Sequence, residues 1–234
     1  MDLDFFKAVD DYPKMLNKIA LATFTGAILA IWLLRYEVPA LDNLLKPLSV
    51  PIKVFGDVNL PLGTILPALV VAALSRMFKL HDRISDIFRI RQRFDVGEIL
   101  FPMAIASGAS LSENQIRAIK KNRVSMMYKV FYKYASSTPG KAVIDSHYIT
   151  MALDQWCWYW IVLELVFLGF VLAVTLWITA RYSLAAVFLG VVLVGIGVLQ
   201  FIRSLCSDYA LQQVEAILDN STRRLEVAEA FRAL

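Results

Sequence analysis

Apolar residues along this chain fall in long unbroken runs, not in the alternation of strands or the spaced stripe of a soluble helix. Four runs approach or reach the roughly 17 to 25 residues with which a helix crosses the hydrocarbon core of a bilayer. The first, Ile19 to Leu34, is closed by Lys18 and Arg35. The second, about Leu60 to Ser75, contains Pro61 and Pro67 and is closed by Arg76 and Lys79. The third runs from Trp156 to Ala180, and the fourth, Tyr182 to Ile202, follows after little more than Arg181. Two transmembrane helical hairpins are therefore expected. The first two runs are short, so a buried hairpin of a soluble domain is the competing reading for them.

Between and after the hairpins the period changes to that of amphipathic helices. No Gly or Pro interrupts Ala68 to Val96, so the second span is expected to continue into the cytosol as one helix. There Leu80, Ile84, Ile87 and Phe94 recur at helical spacing, with Arg83, Arg89, Arg91 and Arg93 on the other sides. An apolar patch after Gly97 is stopped by Pro102 and a Ser/Gly stretch. Ser112, three residues before Gln115, gives a capping-box pattern. It opens a helix expected from about Glu113 to Tyr134, apolar on one side and carrying Arg117, Lys120, Lys121, Arg123, Lys129 and Lys133 on the other. Pro139 and Gly140 end it. Asp145 to His147 reads as the N-terminal cap of the helix leading into the third span. After the fourth span, Leu211, Val214, Ile217 and Leu218 mark an amphipathic helix, which Asn220 and Ser221 interrupt before Leu225, Ala228 and Phe231 resume the spacing.

The expected architecture is an all-α integral membrane protein in four parts. Residues 1–76 hold the N-terminal segment and first hairpin (spans about 19–34 and 60–75), and 77–155 a basic cytosolic helical module. Residues 156–203 form the second hairpin (spans about 156–180 and 182–202), and 204–234 a cytosolic C-terminal helix.

Composition agrees with a lipid environment. Apolar residues make up 58% of the 234, mean hydropathy is +0.58, and charged residues are 19%, against roughly 25% in soluble domains. Charge then orients the chain. Arg76 to Gln155 holds thirteen basic and seven acidic residues, whereas the Tyr36 to Asn59 loop has Lys46 and Lys53 against Glu37, Asp42 and Asp57. Basic segments stay inside, which puts both termini in the cytoplasm and the protein in a membrane of the bacterial inner-membrane type. The start, MDLDFFKAVDD, is acidic and lacks the basic region of a removable signal. The net charge of +4 reads as a topology signal. Trp156, Trp158, Tyr159 and Trp160 at one end of the third span, Trp177 and Tyr182 at the other, and Trp32 and Tyr36 after the first are expected as interface anchors.

Helices in lipid associate by close packing, which small residues permit. Ala22, Gly26 and Ala30 lie at spacing four, Ala68 and Ala72 likewise, and Ala186, Gly190 and Gly197 share a face of the fourth span. Packing within one bundle and assembly with further copies are both open on this pattern.

Glu164 stands inside the third span with no Lys or Arg within seven positions on either side, roughly 10 Å into the membrane if counted from Cys157. A hairpin turning at Arg181 and Tyr182 brings it level with Leu199 and Gln200, so the Gln200 amide is the expected partner. An acid at that depth is protonated, hydrogen-bonded or open to water. It is either a proton or cation site or an interhelical bond that fixes pairing. The same arithmetic brings Cys157 level with Cys206, read as two small apolar side chains.

No catalytic, cofactor or metal motif accompanies these features. His81, His147 and the two cysteines are scattered, and no phosphate-binding Gly loop, nucleophile elbow or HExxH occurs. Arg83, Arg89, Arg91, Arg93, Lys120, Lys121 and Arg123 are candidates for contact with anionic lipid or a cytosolic protein partner. Nucleic acid is disfavoured, because no recognition motif joins the basic residues. In layout, the spans at Ile19, Leu60, Trp156 and Tyr182 with their intervening module resemble the small four-span membrane components of bacterial antiviral defence operons, a likeness without a residue signature. It implies a non-catalytic, oligomeric membrane protein that anchors or couples a cytosolic partner. A pore-forming or membrane-perturbing effector, or a small transporter using Glu164, are the alternatives.

Overall fold

In a computed structural model the described residues are 7–55, 58–138 and 140–234, with side chains described outside 52–59. The acidic start at 1–6, Asp57 and Pro139, used above for topology and helix ends, lie outside the described residues. The chain is mostly helical. Helix α1 (Tyr12–Glu37) stops before Pro39, whose predecessor is disfavoured in helical conformation. Pro39 then opens α2 (Pro39–Leu45), where a missing N–H costs nothing. The loop expected here also contains an antiparallel ribbon, β1 (Pro51–Phe55) with β2 (Val58–Pro61), pairing Pro51 with Pro61 and Ile52 with Leu60. Arg35 organises this end: its guanidinium meets Asp42 at 2.9 Å, Thr64 Oγ1 at 3.2 Å and Ser49 Oγ at 3.3 Å.

The single helix expected from Ala68 to Val96 is broken twice. Helix α3 (Leu62–Phe78) ends at Lys79 and α4 (Leu80–Phe88) at Arg89, both left-handed residues with φ of 48° and 53°; α5 is Ile90–Phe94. The axes of α3 and α4 differ by 57°. Neither joint is a glycine, so each opposes a preference of roughly 1–2 kcal/mol and must be held by tertiary contacts. Conversely, Gly97 and Pro102 do not stop the helical run. A wide π-type segment (Asp95–Leu100) leads directly into α6 (Phe101–Ala106), and Pro102 falls at the junction where the widened turn ends. Gly108, at φ 82°, turns the chain out.

Ser112 and Gln115 form the expected reciprocal cap on α7 (Glu113–Lys121). Beyond Asn122 come α8 (Arg123–Met126) and a second wide segment, Met127–Tyr132. The Asp145 carboxylate accepts from the His147 N–H at 2.8 Å as α9 (Ser146–Ile178) begins. Thr179 to Arg181, with Ala180 at φ 59°, joins α9 to α10 (Tyr182–Leu218). The tail helix expected at 204 is thus a continuation of α10; Asn220 caps α11 (Ser221–Arg232).

Among the described residues three helices, α1, α9 and α10, are long and apolar enough to cross a membrane, and the bent α3–α4 pair qualifies if counted as one crossing.

The chain divides into two compact units. One comprises Leu16–Arg83 and Trp158–Phe201. In it Ala27, Ile28 and Ala68 pack with Phe24, Ile31, Leu60 and Val71, and Leu172, Leu176 and Ala185 pack with Ala30, Leu33 and Phe188. Its exterior is apolar: Leu29, Val70, Leu193, Val194 and Phe201 are each more than half exposed. Gly169 abuts Val192 and Gly195 abuts Val166, an antiparallel register in which each residue's partner lies two to three positions earlier than the sequence suggests.

The other unit comprises Met1–Met15, Ile84–Cys157 and Ile202–Leu234. Phe94, Leu100, Met103, Ile119, Val130, Ile217 and Phe231 are buried within it, and Trp156 stacks edge-on against Phe94 at 4.6 Å. Lys133 Nζ and the Tyr134 hydroxyl both donate to Glu226 at 2.6 Å. Cys157 and Cys206 are both buried and form no disulfide.

Two glycines separate tight from open packing. A Cβ at Gly63 would stand 2.8 Å from the Leu45 carbonyl oxygen, whereas one at Gly190 would meet nothing within 4 Å. Gly63→Ala is expected to lower stability by about 1–3 kcal/mol. Gly190→Ala should leave it unchanged or raise it by up to about 1 kcal/mol. Thermal unfolding of the purified protein in detergent checks both.

Candidate functional site

Glu164 is fully buried on α9, and its carboxylate collects contacts from three other helices. Oε2 lies 2.5 Å from Thr23 Oγ1 on α1 and 2.6 Å from Ser75 Oγ on α3, while Oε1 lies 3.2 Å from His81 Nδ1 on α4. Ser75 and His81 are six residues apart. On one straight helix they would be about 9 Å apart in height and about 120° apart around the axis, too far to reach one carboxylate. The left-handed joint at Lys79 brings both to it. Trp160, one turn before Glu164, covers the imidazole with ring centroids 5.7 Å apart. His81 is itself buried, and among the described residues its Nε2 has no hydrogen-bond partner; Asp82 Oδ1 is 3.8 Å from it.

Gln200 is not the partner of Glu164. It is exposed, and the register set by Gly169 with Val192 and Val166 with Gly195, carried two residues further, places Glu164 level with Gly197. The residue that sequence reading missed is His81, which had been placed on a cytosolic helix because no Gly or Pro marks the break. Thr23 and Ser75 were missed as well, because Thr25 and Thr64 also lie in the apolar runs and nothing along the chain tells these hydroxyls apart. Trp160, expected at an interface, is buried instead, whereas Trp32, Tyr36, Trp177 and Tyr182 are exposed.

The small-residue faces separate. Ala22 is buried, Gly26 sits against Leu165 and Leu168, and Ala30 packs in the core of the apolar unit. Ala186, Gly190 and Gly197 are exposed, and among the described residues a Cβ at Gly190 or Gly197 would meet nothing within 4 Å.

Among the basic candidates, Arg83, Arg89, Arg93, Lys120 and Lys121 are exposed and Arg91 is half-buried. Arg123 is committed to an ion pair with the buried Asp95. Burial holds the Asp95 carboxyl above its usual range, and Arg123 opposes that shift.

Chemically, the Glu164 node can hold or pass a proton. Ser75 donates to a carboxylate, not to an imidazole, so no nucleophile and base pair forms. Among the described residues no group of three or more His, Cys, Asp or Glu could hold a metal.

Fold and site together define a helical membrane protein with an acid and imidazole pair buried in its apolar unit. The chain belongs to the YmfE protein family, whose family model matches residues 11–232. Neither curated proteins nor solved structures give a match.

Removing one member of a buried ion pair strands the other. Arg123→Gln is therefore expected to lower stability by about 2–4 kcal/mol at neutral pH. Because the folded Asp95 pKa is raised, its protonated form is favoured in the native state, so the deficit should shrink as pH falls through that carboxyl's titration. Unfolding of wild type and variant across pH checks the sign. At the apolar unit, Thr23→Val and Ser75→Ala should each cost about 1 kcal/mol. The double variant should cost more than their sum, since it removes both contacts to Oε2; a thermal-unfolding cycle measures the coupling.

Proposed function

We propose that this protein is a non-catalytic, self-associating component of a bacterial cytoplasmic membrane that holds a soluble partner through its basic helical unit. The observation carrying this reading is the division of labour between units. One turns large apolar side chains outward, as lipid requires and water penalises. The other has its own apolar core and exposes Arg83's neighbours Arg89 and Arg93 together with Lys120 and Lys121.

The proposed layout has four crossings: α1, the bent α3–α4 pair, α9 and α10. Counting the bent pair as a crossing puts the basic segment and both termini on one side, and the excess of Lys and Arg assigns that side to the cytoplasm. The open face at Ala186, Gly190 and Gly197 supports contact with a second copy. The partner's face is acidic by complementarity. Nothing in the family match connects the chain with antiviral defence, so the likeness in layout adds no weight.

A second reading, a pore or small transporter using Glu164, is favoured by the buried ionisable pair. The test separates the two. The purified protein in liposomes is expected to pass no ions, a tag beside Lys121 to be inaccessible from outside intact cells, and Lys120→Glu with Lys121→Glu to release a co-purifying acidic protein. Ion flux from the protein alone would overturn the anchoring role in favour of the second reading, and outside access to the tag would overturn the topology.

A further inference from the structure

We propose that Glu164, His81 and Asp82 form a proton-binding site, with Glu164 as the buried terminus and the His81 ring carrying the proton between it and Asp82. The inference deepens the second reading above, and it rests on the membrane layout only for the side from which protons enter.

The hydrogen atoms make the case. Thr23 has one hydroxyl proton, yet Oγ1 lies 3.0 Å from the Ile19 carbonyl oxygen and 2.5 Å from Glu164 Oε2. A carbonyl and a carboxylate both accept, so one contact lacks a proton unless Glu164 carries it on Oε2 and donates to Thr23. Ser75 then donates to the same oxygen. On the other oxygen, Nδ1–H of a neutral imidazole donates to Oε1, which leaves Nε2 as a buried acceptor with no hydrogen-bond partner among the described residues. A buried lone pair of this kind is costly, and it is where a proton can arrive. Asp82 Oδ1, at 3.8 Å, is beyond hydrogen-bond length but within reach of a small rotation or a bridging water. Exposure rises along the series, with side chains 0% exposed at Glu164, 2% at His81 and 23% at Asp82.

Other charges near the site have their own contacts. From α1, Lys18 lies over the Trp158 ring at 4.5 Å. From α3, Arg76 bonds to Asn17. On α4, Arg83 is exposed beside Asp82. From α9 and α10, Glu164 and Arg181 are the only charged residues between Trp158 and Phe201, and Arg181 donates to the Glu37 carbonyl. His81 is the one titratable group bonded to the carboxyl among the described residues.

The transfer balances without a co-reactant. When Glu164 is ionised, a proton taken up by Asp82 passes to His81 Nε2, and the imidazolium releases its Nδ1 proton to Oε1. The products are neutral Glu164 with its proton on Oε1, imidazole protonated on Nε2 and ionised Asp82; rotation of the carboxyl to the Thr23 side and tautomer exchange of His81 then restore the arrangement above. Reversal returns the proton by the same atoms.

The test is difference infrared spectroscopy of the full-length protein in detergent, following the carbonyl stretch of a protonated carboxyl as pH is changed. Wild type should show a pH-dependent band that Glu164→Gln removes. Asp82→Asn, at a partly exposed position, should keep the band but slow its response to a pH jump by about tenfold or more, and His81→Gln should do the same. Ser75→Ala should shift the band's frequency, which assigns it to Glu164 even if Glu164→Gln fails to fold. A band absent or insensitive to pH, a band unmoved by Ser75→Ala and Glu164→Gln, or an unchanged rate in Asp82→Asn would overturn the proposal. Since the measurement uses no bilayer, its failure leaves the anchoring and layout standing, and a reversed topology leaves the site standing.

Discussion

A carboxyl buried among hydrocarbon side chains needs hydrogen-bonding neighbours, and Glu164 finds them on three separate helices. Where the surrounding solvent is itself apolar, burying leucine against leucine gains little, so polar contacts and close fit decide which helices meet. One acid then fixes the relation of α1, α3 and α4 to α9 within the apolar unit. It also explains a backbone feature with no local cause. Lys79 is held left-handed because Ser75 and His81 cannot otherwise reach the same group, and the bend of 57° follows from it. Packing does the remainder, through Gly26 against Leu165, Gly195 against Val166 and Ala68 in its cluster.

The other unit is built differently, with side-chain caps, an apolar core and an ion pair at its buried acid. Two of its helix starts are capped by side chains, at Ser112 with Gln115 and at Asn220, and its core includes Phe94, Leu100, Ile119 and Phe231. Its buried acid, Asp95, is answered by a full charge from Arg123 rather than by hydroxyls and an imidazole. The contrast is physical. A guanidinium with one edge in water is tolerable, whereas an arginine brought to Glu164 would carry a permanent charge into the apolar unit.

Much of this was legible along the chain. The apolar runs foretold α1, α9 and α10; the capping box, the Asp145 cap and the Asn220 interruption each fell where the pattern put them. Three things were not. The breaks at Lys79 and Arg89 carry no Gly or Pro, since the left-handed turns are imposed by distant contacts and not by intrinsic preference. His81 therefore looked cytosolic, although Glu164 itself was singled out correctly as needing a partner. Gln200 was chosen by counting from the turn, and Ala180 shifted that count by enough to point it outward. Pro102 misled in the opposite sense, because it falls at the junction where a widened turn ends and terminates nothing.

The two oxygens of Glu164 are unequally supported. Oε2 has a hydroxyl neighbour on α1 and another on α3, while among the described residues Oε1 has His81 alone. Drift at position 23 or 75 is therefore buffered, since either helix can lose its hydroxyl while the other still serves. Positions 81 and 164 have no such redundancy, so an exchange at one strands a buried polar atom of the other.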